Sequence, residues 1–490
     1  MTLSRTLLAL SLALVSQAAS AQTKPAPAAA PSGAASVVEV PAATGNADLT
    51  IYNNNFAMVR ERRSFSLPGG SAQLVMGGVP RELQPETAFL QVLKGDAVRV
   101  TEQIFNFDVL TPSKLLERAV GSEVSVISIN PGNGREVTER ARVLSVDEGL
   151  VLEINGKIHT NHPGRVVFDS LPAGARARPT LLMSVTGKGA QAVEAELSYL
   201  TGGLSWRPDY VAQYDADSNR MDLLAWATVT NATATGFPHA RMKLIAGEVN
   251  REQPPPPPSA PMRARRAEAG DMAMAQSFAP GIAATGSLAT YVYNIPALTS
   301  LGAFETKQLG LLNAQAVPVR RQYTVRAEPH FFMQQMRGAP IESRAAIELA
   351  FNNDKAAKLG TPLPAGIVRV YGQDAEGAPQ FMGEDHIAHT AVGGEVTLNL
   401  GNDFDLPVQR EQLAFVRATD NIVLATWRVT LSNAKSRPVT VRVIESIPGA
   451  WEISKESHPH EKQNAASATW ALEVPAKGKT VLEYTARITQ

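Results

Sequence analysis

Three times along this chain an alternating apolar strand runs into an asparagine, turns, and resumes as a second alternating strand. In the first unit the apolar run from Met221 to Val229 reaches Asn231. After a Thr/Gly turn, Ala240, Met242, Leu244 and Ala246 fall on one side and Arg241 and Lys243 on the other. The second carries Ala345, Ile347, Leu349 and Phe351 into Asn352 and Asn353. The third carries Val423, Ala425, Trp427, Val429 and Leu431 into Asn433, then returns through Val439, Val441 and Val443. A period of two places one face of every strand against a core and leaves the other wet, so the chain must stack sheets. A short amide at each turn can satisfy backbone groups that the strands leave unpaired. The closing segment follows the same rule, with Trp470, Leu472 and Val474 before a Pro/Lys/Gly turn and Leu482, Tyr484, Ala486 and Ile488 after it. The expected fold class is therefore mainly β: multidomain antiparallel β-sandwiches with a small SH3-like β-barrel module and few short helices.

The barrel is expected from about five short strands marked by Val124 and Val126, Val143, Leu150 to Ile154, Ile158, and Val166 with Phe168. Asn155-Gly156 among them is a two-residue hairpin signal, because both central positions of that turn need positive φ. Just before it, Thr111-Pro112 opens a short helix that Gly121 can end. Near the N-terminus, Pro-Gly-Gly at 68–70 reads as a turn between short strands. With 490 residues the chain can hold several cores. The boundaries read as an export signal at 1–21, a flexible Ala/Pro-rich leader at 22–46, an N-terminal β region at 47–110, and the helix with the small barrel at 111–171. A central sandwich at 172–335 is interrupted by a disordered Pro/Arg/Met-rich loop at 253–286, and a C-terminal sandwich occupies 336–490.

Export rests on Arg5, the apolar stretch from Leu7 to Val15, and Ala19-Ser20-Ala21 before Gln22. That stretch is too short to span a bilayer, which takes about 20 apolar residues, and no transmembrane segment is expected in the mature chain. The sequence contains no cysteine, so packed cores must supply its stability. The expected location is the periplasm, or outside the cell. A formal net charge of +0 gives no global attraction to nucleic acid or to an anionic membrane, and no nucleic-acid partner is expected.

Side chains able to do chemistry gather at 384–389, where Asp385, His386 and His389 follow Glu384. Imidazole and carboxylate are zinc ligands, and a divalent metal is the one cofactor this set could take. Against it, residues three apart on a strand point to opposite faces, and the helical i,i+4 histidine spacing is absent. His458-Pro459-His460-Glu461 is a second such group, equally suited to a solvated hairpin tip. Ser205 lacks the small-residue spacing of a nucleophile elbow. Trp206 and Tyr210 beside the Gly202-Gly203 turn, with Arg263, Arg265 and Arg266 in the long loop, form the possible binding surface.

Several spaced segments carry a resemblance: residues 49–63, Tyr199 to Val211 (YLTGGLSWRPDYV), Leu244 to Val249 (LIAGEV), Gly383 to Thr390 (GEDHIAHT), Leu400 to Leu406 (LGNDFDL) and Trp451-Glu452-Ile453. Together they resemble the bacterial domain of unknown function 4139 family, from about residue 49 to the C-terminus. More distantly, the later β region resembles mucoidy inhibitor A-like proteins, whose first half holds a coiled coil where this chain has no sustained heptads. The resemblance implies a β-rich exported protein and brings no catalytic residues with it. The expected function is an exported, non-enzymatic binding or scaffold protein of the bacterial cell envelope, with an envelope protein, peptide or polymer as partner. A metal-assisted hydrolase acting on envelope material and a soluble accessory subunit of an outer-membrane assembly are the alternatives.

Overall fold

The computed structural model describes residues 36–43, 46–106, 110–130, 132–160, 162–171, 176–250, 284–287, 290–374 and 376–489. The expected signal, the first part of the leader, and Arg263, Arg265 and Arg266 lie outside the described residues.

The N-terminal strands are β1 (Ser36–Val40), β2 (Asp48–Tyr52), β3 (Phe56–Gly77), β4 (Phe89–Lys94) and β5 (Arg99–Asn106). Helix α1 (Pro112–Arg118) leads to β6 (Glu123–Ile129), β7 (Glu136–Ser145), β8 (Val151–Ile154), β9 (Lys157–Thr160) and β10 (Arg165–Val167). Next come β11 (Thr180–Gly202), β12 (Leu204–Asp215), β13 (Arg220–Asn231) and β14 (Phe237–Ala246). Then follow β15 (Ala284–Ser287), β16 (Thr290–Asn294), β17 (Thr299–Leu301), β18 (Thr306–Pro318), β19 (Arg320–Ala327) and β20 (Ile341–Asn352). The chain finishes with β21 (Gly366–Gln373), β22 (Pro379–Ile387), β23 (Glu395–Thr419), β24 (Ile422–Ser432), β25 (Val439–Ser446), β26 (Ala450–Glu456), β27 (Glu461–Asn464), β28 (Ser467–Val474) and β29 (Lys479–Thr489).

These strands make four sheets. The first has ten strands along β15-β16-β14-β2-β3-β11-β4, with β1 also on β3, β17 on β14 and β5 on β11. Its spine is the long antiparallel pair β3 and β11. Pro68-Gly69-Gly70 does not reverse the chain there: it lies opposite Gly187 to Ala190, where the register shifts, so two glycine-containing segments bulge together and both strands continue. At the other end of the leader, Val38 and Val40 carry β1 parallel to β3, so residues 36–40 are a paired strand where a flexible segment was expected.

The small sheet runs β10-β6-β7-β8-β9 and has its own core around Val124, Val126, Val143 and Leu152. The five strands fall where the apolar pairs put them, and Asn155 and Gly156 both take positive φ, 51° and 75°. The order is linear, with β9 and β10 at opposite edges and no pairing between them among the described residues. Thr111 caps α1 by accepting from Lys114 N at 3.1 Å. The small sheet is an insertion, because β5 and β11 on either side of it pair directly with each other.

The third sheet runs β18-β13-β12-β21-β22, and the fourth β26-β29-β24-β23-β20-β19-β25-β28-β27. Inward residues of β24 and β29 share one core with those of β25 and β28: Trp427 and Trp470 are fully buried, and Trp470 stacks on Tyr484 with centroids 4.7 Å apart. A second and larger core fills the space between the ten-stranded and five-stranded sheets. Strands β20 and β23 enter both: Leu349, Phe351, Val396 and Leu398 join the larger core, whereas Ala345, Leu406 and Val408 join the other.

The three asparagines explain how the layers are joined. All are buried, and each closes a strand while its side chain spans the turn. Asn231 Nδ2 donates to Thr235 O (2.8 Å) and Gly302 O (2.7 Å). Asn353 Nδ2 reaches Thr361 O, Thr390 O and Ala391 O at 2.8, 3.2 and 3.1 Å. Asn433 Nδ2 reaches Arg437 O, Val474 O and Pro475 O at 2.9, 3.2 and 3.1 Å. Each amide therefore satisfies its own turn and also a turn distant in sequence. The two strands flanking each asparagine do not pair; the chain arches from one sheet position to another, β13 to β14, β20 to β21, β24 to β25. Each returning strand then lies parallel to an earlier one: β14 on β2, β21 on β12, and β25 on β19.

Candidate functional site

The expected metal group sits on and just after β22, at the edge of the five-stranded sheet. Asp385 uses both oxygens locally, accepting from His386 N at 2.8 Å and from Asn399 N at 2.7 Å, which ties β22 to β23. His389 Nδ1 accepts from Ala365 N at 3.1 Å, and His386 is exposed. Glu384 turns instead to Arg369, 3.3 Å away. No group of three or more His, Cys, Asp or Glu able to hold a metal ion comes together among the described residues. At the second histidine group, His460 Nδ1 lies 2.9 Å from Glu456 Oε2, and Trp470 Nε1 donates to that same oxygen and to His458 O, each at 3.0 Å. These residues hold a core tryptophan in place.

Trp206 and Tyr210, read as a possible surface, are core residues. Gly203 lets them turn inward: its φ is +78°, and a Cβ there would lie 2.6 Å from Thr233 Cγ2. Trp206 Nε1 donates to Ile245 O at 2.9 Å and meets Tyr293 edge-on. Tyr210 donates to Pro364 O at 2.7 Å and Tyr293 to Pro362 O at 2.9 Å. Burial pushes both phenols well above their ordinary pKa, so they stay donors that strap residues 362–364 onto the core.

Two charged pairs lie inside the protein where the sequence reading placed none. Arg63 donates to Glu61 Oε1 (2.7 Å), Pro41 O (2.9 Å) and Gly77 O (3.0 Å). Arg410 faces Glu445 with N–O separations of 2.8 and 2.9 Å, and its guanidinium lies within 6 Å of the Phe331 and Trp427 ring centroids. Burial opposes the charge on Arg410, yet the Glu445 carboxylate and the Tyr484 hydroxyl outweigh it and raise the pKa further. Buried this way, both pairs are structural.

On the outer face of the five-stranded sheet a polar row crosses every strand. Glu384 pairs with Arg369, which reaches Asp209 Oδ1 at 3.4 Å. Asp209 Oδ2 accepts from Thr228 Oγ1 at 2.6 Å and lies 3.3 Å from Arg207 Nε. Gln308 Nε2 donates to Thr228 Oγ1 at 3.2 Å and completes the row. At one end of this sheet an open cleft of about 500 Å³ lies between the β12–β13 turn and β21, lined by Tyr214, Tyr371, Gln213, Gln373 and Asp217 among others. Its rim is pinned: Ser218 Oγ and the N–H groups of Asp217 and Ser218 donate to Asp215 and hold its pKa below the usual value, and Asp222 accepts from Ala316 N at 2.7 Å. A second cleft, about 540 Å³, opens on the outer face of the nine-stranded sheet among Arg320, Arg326, Arg442, Glu348 and Glu395.

The family model for a domain of unknown function, DUF4139, matches residues 195–490. The chain belongs to the DUF4139 family. No curated protein matches it. The DUF4139 match takes in all three asparagine arches, both clefts, the polar row and the Arg410–Glu445 pair. The small inserted sheet and β1 to β5 precede it. The chemistry of the DUF4139 region is that of fixed hydrogen-bonding surfaces. Many of its charged side chains are paired across neighbouring strands, and Trp206, Tyr210, Tyr293, Trp451 and Trp470 are anchored by their polar ends.

Proposed function

We propose that this protein is an exported, non-enzymatic binding or scaffold protein of the bacterial cell envelope. It holds an envelope protein, peptide or polymer on the open clefts, sheet faces and loops of its DUF4139 region. The observation that carries this reading is that both clefts are open and lined largely by polar side chains carried on paired strands, a surface suited to a polar partner. In the cleft beside β21, Tyr371 offers a ring face and Gln213 and Gln373 offer planar amides, groups that suit a hydroxyl- or amide-rich chain. No helix among the described residues is long and apolar enough to cross a membrane.

Two measurements test the proposal. The N-terminal residue of the protein recovered from the periplasm or medium is expected to be Gln22; an uncleaved chain kept in the cytoplasm would sink the export half. The purified mature chain is expected to co-sediment with envelope material, and the double substitution Tyr371→Ala/Gln373→Ala is expected to weaken this about tenfold or more while leaving the melting temperature nearly unchanged. Turnover of envelope material that disappears in Asp385→Ala would instead favour the metal-assisted hydrolase.

A further inference from the structure

The charges of the cleft on the nine-stranded sheet do not balance. Three guanidinium groups face two carboxylates there. Arg326 pairs with Glu348, whose side chain is 5% exposed, and Arg320 pairs with Glu395. Arg442, half-buried on β25, donates to Gln322 Oε1 at 3.1 Å, a neutral amide that supplies hydrogen bonding and no compensating charge. A guanidinium keeps its proton at any ordinary pH, and it forms its strongest and most directional contacts with planar anions. The arrangement therefore leaves one positive charge on the wall of a concavity.

We propose that this cleft binds a small polar ligand through a carboxylate held by Arg442. One uncompensated positive charge matches one carboxylate, whereas a doubly charged phosphate would meet the flanking Glu348 and Glu395 with charge to spare. The rest of the ligand is polar as well. Gln463 and Asn464 contribute amides and Ser446 and Ser467 contribute hydroxyls, and Ile444 and Ala466 are too little apolar surface to hold an acyl chain. The carboxylate can belong to an acidic sugar or to the C-terminus of a short peptide; the chemistry at Arg442 is the same. This inference depends on neither export nor envelope location, and it concerns a cleft that shares no lining residue with the one at Tyr371 and Gln373.

The test uses calorimetric titration of the full mature chain with digalacturonic acid and its dimethyl ester, and with trialanine and its amide. At least one free acid is expected to bind about tenfold or more tightly than its neutral derivative, and which acid does so identifies the source. Arg442→Gln is expected to remove that preference. Glu395→Gln, which frees Arg320, is expected to strengthen binding of the acid about threefold or more, a gain that misfolding cannot produce. The proposal is overturned if neither acid is preferred to its neutral derivative or if Arg442→Gln leaves the preference intact. Should Arg442→Gln fail to fold, absence of a gain in Glu395→Gln overturns it as well.

Discussion

At the scale of single residues, the asparagine amides carry more of the architecture than their number suggests. Asn433 is 2% exposed and its Nδ2 serves three carbonyls, one at the last residue of β28 and one in the turn after it. Asn433→Ala leaves buried carbonyls without a donor, and we expect a loss of roughly 2–4 kcal/mol in urea unfolding. The exposed neighbour of the second arch is the control: Asn352→Ala is expected to stay within about 0.5 kcal/mol of the wild type. That asparagine ends the strands and bonds to the turn was legible from position and residue type. The distant carbonyl partners were not, because a period-two pattern says which face is buried but not which turn lies across the core. The two buried ion pairs left a readable trace. Arg63 shares strand parity with Val59, Phe65 and Leu67, Arg410 with Leu406 and Val408, and Glu445 with Val441 and Val443, all of them buried. A charged residue on the apolar side of a strand announces a partner. Asp385, His386 and His389 were adjacent in sequence, but strand geometry and local hydrogen bonds divide their roles.

At the scale of elements, the turn formed by residues 302–305 shows how an arch is pinned by ionisable groups. Asn231 N donates to Glu305 O at 2.8 Å, Asn231 Nδ2 donates to Gly302 O, and Gly302 N donates to the Glu305 carboxylate. That last bond, with help from Lys307, holds the Glu305 pKa below its ordinary 4.5. A carboxyl depressed in the folded state contributes stability that is full above the unfolded value and is lost as pH falls through the folded one. The melting temperature is therefore expected to fall as pH drops below about 4.5, and Glu305→Gln is expected to flatten that decline; parallel curves for the two proteins would show that Glu305 has no part in it. Elements were read well where local chemistry decides, as at the Thr111 cap and the Asn155-Gly156 turn. Pro-Gly-Gly at 68–70 misled because those residues allow a bulge as readily as a reversal, and the choice was made by Gly187 to Ala190, more than a hundred residues away.

At the scale of the whole molecule, the sheets are laced together by strands that belong to more than one core. Residues 195–490 of the DUF4139 match contain β20 and β23, which each contribute side chains to both large cores. A chain ending at residue 390 keeps every strand of the sheet β18-β13-β12-β21-β22, yet it loses Val396 and Leu398 from the larger core and β23, one of the two partners of β20. We expect it to lack a sharp thermal transition and to bind a hydrophobic dye; a sharp transition at the temperature of the intact protein would contradict this coupling. The parallel returns have a consequence in time. β12 waits for β21, and β19 waits for β25, so strand edges made early stay open until segments more than a hundred residues later have been synthesised. Growing from its N-terminus, the polypeptide carries unfinished, adhesive rims for most of its synthesis, and any helper that shields them has its busiest moment just before the last strands emerge.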